Sequence, residues 1–132
     1  MLLRLFLVAV LVPLALAGCS ADTTTSAETD SVRTVQAAEA ASLVDDGATV
    51  IDVRTPAEFD SGHLAGATNI DVQAADFHER VGELDREGTY VLYCRSGARA
   101  GAAAEMMLDM GFEDVVNAGG FDTLASAGLA TE

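Results

Sequence analysis

Tyr93-Cys94-Arg95-Ser96-Gly97-Ala98-Arg99 joins two different periodicities. Before it, residues 90–93 form a short run of aromatic and branched side chains, the composition of a strand. After it, Ala100, Ala103, Ala104, Met107 and Leu108 recur on one helical face, and Gly111 follows as a stop signal. A strand that passes into a helix through a short loop of small residues is half of a β/α unit. Reading outward from this loop, the same alternation repeats along the chain.

Further short apolar runs lie at residues 32–35, 49–53, 67–71 and 115–117 and read as strands. Between them, Ala37, Ala40, Ala41 and Val44 fall at helical spacing, with Gly47 placed to cap the end. Residues 74–84 put Phe77, Val81 and Leu84 on one face of another helix. Strands alternating with helices over about 100 residues predict an α/β fold, a parallel sheet flanked by helices on both faces. In such sheets, sites form beyond the carboxyl ends of the strands, beside helix N-termini. The cysteine loop occupies that position.

The loop also has the chemistry of a site. A cysteine attacks as thiolate. Here the following helix directs free N–H groups and its positive dipole end at the loop. Gly97, with the small Ser96 and Ala98, lets successive amides turn inward around an anion. Arg95 and Arg99 add two positive charges within the same six residues. An inert buried cysteine would explain neither the small residues nor the paired arginines.

The chain has 132 residues, enough for one domain. Twenty-one acidic residues face seven arginines and no lysine, for a net charge of −14. That balance argues against nucleic acid or an anionic lipid surface as a partner. An anionic substrate must be drawn in by local positive groups.

The amino terminus reads as an export signal over residues 1–18. Arg4 precedes an uncharged apolar run at residues 5–17. As a helix this run spans roughly 20 Å, short of the ~30 Å needed to cross a bilayer. Leu16-Ala17-Gly18-Cys19 resembles a bacterial lipobox, which implies lipidation of Cys19 and an extracytoplasmic protein anchored to a membrane. Residues 19–31 then form the lipidated cysteine and a small, polar, acidic tether, reaching on the order of 20 Å as a flexible coil. The folded domain is expected over residues 32–132. With Cys19 consumed, Cys94 has no partner for a disulfide, and chemistry is the best reason to keep a lone thiol there.

Three motifs in order carry a resemblance over nearly the whole expected domain. They are Ile51-Asp52-Val53-Arg54-Thr55-Pro56-Ala57-Glu58-Phe59 with Gly62-His63-Leu64-Ala65-Gly66-Ala67, then the cysteine loop, then Ala118-Gly119-Gly120-Phe121 with Ala127-Gly128-Leu129. This set resembles the rhodanese domain. The resemblance implies a five-stranded parallel sheet and a ping-pong sulfur transfer through a Cys94 persulfide. The donor is a small molecule such as thiosulfate or a persulfide, and the acceptor is cyanide, a thiol or a protein. By the same resemblance Arg95 and Arg99 bind the donor's sulfonate, and the amides of Ser96, Gly97, Ala98 and Arg99 hold the persulfide charge. The four residues between Cys94 and Arg99 match the sulfur-transfer spacing, whereas the related phosphatases carry a loop one residue longer. Leu124 stands in a stretch where many family members have tryptophan.

Other residues receive plainer readings. Asp52, at a strand end, orients the loop or an arginine. Arg54 and Glu58, four apart, suggest an ion pair bracing the turn. His63 is expected to satisfy local backbone and His78 to face solvent. The spacing offers no metal site, and no cofactor is implied. Alternatives to sulfurtransferase turnover remain from the sequence: a sulfur carrier or docking module, a redox sensor using the same thiol, and a phosphatase or arsenate reductase, which the loop length disfavours.

Overall fold

A computed structural model describes residues 31–132; the export signal, Cys19 and almost all of the tether lie outside them. The elements run β1 (Arg33–Thr34), α1 (Ala37–Asp45), β2 (Thr49–Asp52), α2 (Pro56–Asp60), β3 (Thr68–Asn69), α3 (Phe77–Gly82), β4 (Thr89–Cys94), α4 (Ala98–Asp109), β5 (Asp114–Gly120) and α5 (Phe121–Ser126). The five strands form one parallel sheet in the order β1-β5-β4-β2-β3. This is the α/β architecture the alternation predicts, with β4 central and its C-terminal end carrying the cysteine.

Side chains alternate across the sheet because successive strand residues face opposite ways. Tyr90, Leu92 and Cys94 point to one face, where they pack with Phe77 and Val81 of α3 and with Ala100, Ala103, Ala104 and Met107 of α4. Val91 and Tyr93 point to the other, against Ala40 of α1 and Leu124 of α5. The alanine stripe of α4 is therefore a close-packing face. Leu124 is fully buried on the sheet face away from Cys94, so the missing tryptophan does not alter the packing behind the thiol.

Two helices differ from the sequence reading. The helix expected over 74–84 is confined to α3, because two successive turns precede it: the Ala74 N–H donates to the Asp71 carbonyl at 3.1 Å and the Phe77 N–H donates to the Ala74 carbonyl at 3.2 Å. The helix α2 was not anticipated. Thr55 and Glu58 form a reciprocal capping box there, and Pro56 sits at the first helical position.

Candidate active site

Cys94 ends β4 with its side chain wholly buried. The Gly97 N–H donates to its Sγ at 3.0 Å. Gly97 is the N-cap of α4, which has no acidic residue in its first turn, so nothing competes with the sulfur for the positive helix end. Gly97 has φ of +99°, a left-handed conformation that favours glycine.

The loop is held from the side by the end of β5. Asn117 Nδ2 donates to the Gly97 carbonyl at 2.9 Å, while its Oδ1 accepts the Gly119 N–H at 2.9 Å. Between β4 and β5 the register slips: Leu92 faces Asn117, but Cys94 faces Gly120. The extra residue is a bulge on β5 beside the reactive loop. Gly120 is needed for space alone, since a Cβ on it would lie 2.5 Å from the Arg95 carbonyl oxygen. Gly120→Ala is therefore expected to displace the loop. The displacement should cost roughly 1–3 kcal/mol of stability in chemical denaturation.

The two loop arginines are in different situations. Arg99 donates both terminal nitrogens to Glu58, Nη1 to Oε2 at 2.7 Å and Nη2 to Oε1 at 2.8 Å. These bonds are the largest cause that lowers the Glu58 carboxyl from 4.5 to about 2, helped by Thr55. They also raise Arg99 above the ordinary guanidinium value. Arg95, by contrast, is exposed and is the one arginine among the described residues with no hydrogen-bond or ion-pair partner.

The expected Arg54–Glu58 ion pair is not formed. Arg54 lies before α2 begins, so the four-residue helical spacing does not apply to it. It turns back to Asp52 instead, with its Nη2 2.6 Å from Oδ2 and its Nε 3.0 Å from both carboxylate oxygens. A further bond reaches the Gly62 carbonyl at 2.7 Å, and the guanidinium stands 4.7 Å from the Phe121 ring centroid. Burial opposes the charge on Arg54, but Asp52 outweighs it and the guanidinium is held above its ordinary value. Tyr93 completes the cluster by donating its hydroxyl to Asp52 Oδ2 at 2.7 Å while accepting the Leu64 N–H at 2.9 Å. Its phenol is pushed well up, chiefly by burial. Asp52 thus fastens an arginine and the start of the Leu64 turn; it makes no bond to the thiol.

His63 Nδ1 lies 3.0 Å from the Phe59 carbonyl, the local backbone contact anticipated for it, and His78 is exposed.

The Rhodanese-like domain family matches residues 36–127. The chain belongs to that family. It is similar to the thiosulfate sulfurtransferase PspE of Escherichia coli, 35% identical over 57% of this chain and 72% of the relative. It is also similar to the thiosulfate sulfurtransferase GlpE of Pseudomonas aeruginosa, 33% identical over 70% of this chain and 84% of that protein. Among solved structures, a rhodanese-related protein from Thermoplasma volcanium superposes with a TM-score of 0.67 at 29% identity, covering 76% of this chain and 97% of that one.

In this rhodanese-like domain the reactive loop borders a cavity of about 390 Å³, lined by Arg54, Glu58, Ser61, Arg95, Phe121 and Asp122. Sequence reasoning missed three contributors to the site. Glu58 is signalled by the Thr55-Pro56-Ala57-Glu58 capping pattern, although its use of Arg99 is not. Asn117 is an unusual polar residue within an apolar strand. Tyr93 reads as core until its hydroxyl is placed.

The Glu58–Arg99 pair has a pH signature. Its stabilisation is complete above the ordinary carboxyl value of 4.5 and is lost as pH falls through about 2, because over that interval the unfolded chain's carboxyl takes up a proton that the folded, Arg99-bonded one refuses. Glu58→Gln should flatten the acid side of the stability curve between those values, as followed by circular dichroism.

Proposed function

We propose that this rhodanese-like domain is a sulfurtransferase working through a persulfide on Cys94. The observation that carries the reading is the Gly97 N–H on Cys94 Sγ at the N-terminus of α4, in a loop whose neighbouring Arg95 is free. The same amide is placed to hold the negative charge of the persulfide that forms there.

With thiosulfate, the thiolate attacks the outer sulfur. The Sγ–S bond forms as the donor S–S bond breaks, and sulfite leaves with the electron pair. The Cys94 persulfide then yields its outer sulfur to cyanide or to a thiolate, and the Cys94 thiolate returns. Loop amides from Ser96 to Arg99 support the charge. Of the two arginines expected to hold the sulfonate, Arg95 is the available one, since Arg99 is neutralised by Glu58.

Incubating the purified protein with thiosulfate tests this. Intact mass should rise by one sulfur atom, localised to Cys94 by peptide mapping and removed by cyanide. Absence of the adduct together with absence of thiocyanate formation would overturn the reading. Because the whole chain carries −14, a dianionic donor is repelled at long range. The thiosulfate kcat/KM should therefore rise severalfold between low ionic strength and physiological salt.

Leu16-Ala17-Gly18-Cys19 supports placing this chemistry outside the cytoplasm on a lipid anchor. Labelling with an alkyne fatty acid, abolished by Cys19→Ser, is the expected result.

A further inference from the structure

We infer that the donor best fitted to this site is a small zwitterionic persulfide, such as an amino-acid persulfide, with Asp122 recognising its ammonium group. The inference rests on the sulfur-transfer reading above and names the substrate class for it.

Its basis is the charge inventory of the cavity beside the loop. Arg54, Glu58, Arg95 and Asp122 all line it, together with Ser61 and Phe121. Two of the four charges are already satisfied: Arg54 by Asp52 and the Gly62 carbonyl, and Glu58 by Arg99 and Thr55. The remaining two, Arg95 and Asp122, are exposed, opposite in sign and without an ion-pair partner among the described residues. A dianion entering this space gains Arg95 but meets Asp122, within a protein of net charge −14. A donor with one carboxylate and one ammonium group satisfies both ends. Its short aliphatic body has the half-buried Phe121 ring to lie against. The cavity volume is in the range that takes small molecules.

The chemistry closes without another reagent. The Cys94 thiolate attacks the outer sulfur of R–S–S–H, so the Sγ–S bond forms and the donor S–S bond breaks. The electron pair leaves on R–S⁻, and the proton stays with the transferred sulfur.

Asp122 also lies in the first turn of α5, where a carboxylate complements the helix end. The experiment separates that role from recognition by using three donors: cysteine persulfide, the persulfide of 3-mercaptopropionate, which keeps the carboxylate but lacks the ammonium, and thiosulfate. The preference for cysteine persulfide over the deamino donor in kcat/KM should be about fivefold greater in the wild type than in Asp122→Asn, the size of a partly exposed ion pair; the variant's own ratio supplies the intrinsic difference between the two leaving thiolates. Asp122→Lys should lower the ratio further. An equal ratio in wild type and Asp122→Asn overturns the inference. That is the outcome of a purely structural role, which moves all three donors together and lowers the melting temperature. Failure of every donor, with no sulfur adduct on Cys94, overturns the sulfur-transfer reading itself and is distinguishable from loss of the ratio alone.

Discussion

Cys94→Ser is expected to lower thiocyanate formation by roughly 10³-fold or more and to abolish the sulfur adduct. The reason is chemical. A serine hydroxyl stays protonated at neutral pH and forms no persulfide, while the Gly97 amide that meets the sulfur at 3.0 Å can still be satisfied by oxygen. Because Cys94 is also part of the packed face with α4, a modest loss of stability accompanies the exchange. Activity and folding are therefore read separately, the first by initial rates with thiosulfate and cyanide, the second by thermal melting. Retention of wild-type turnover would remove Cys94 from the reaction.

The largest effect on stability is expected at a residue that does not touch the sulfur. Asp52 is fully buried and Arg54 nearly so, 5% exposed, with 2.6 Å between their closest atoms. Asp52→Ala strands the guanidinium in the interior and leaves the Tyr93 hydroxyl without its acceptor. A broken buried pair of this kind costs roughly 3–5 kcal/mol, enough to lower the melting temperature of a domain this size by more than about 10 °C. The double variant Asp52→Ala/Arg54→Met removes the stranded charge and should recover a large part of that loss. If the single variant melted like the wild type, the cluster would not be holding the β2 end in place.

The alternation of strands and helices was legible because parallel strands buried on both faces leave continuous apolar runs, such as Val50 and Ile51 or residues 90–93. The loop was legible because all its parts are adjacent in sequence. What escaped was pairing across the fold. Arg54 and Glu58 have helical spacing, yet Arg54 is outside the helix and each finds another partner, one of them 41 residues away. The same distance problem hid Asn117, 20 residues from the Gly97 carbonyl it secures. Local competition hid the true start of α3, where backbone turns from Asp71 to Ala74 and from Ala74 to Phe77 take up residues that periodicity assigned to the helix.

The bulge at the end of β5 has an evolutionary consequence. Gly120 lies so close to the Arg95 carbonyl that β5 acts as a mould for the reactive loop, admitting only one thickness of backbone. Lengthening the loop by a residue is therefore not a change confined to the loop. The inserted peptide would need a reshaped β5 end to seat it, so ring size and the neighbouring strand must change together. A bare insertion would leave the loop without a surface to seat it.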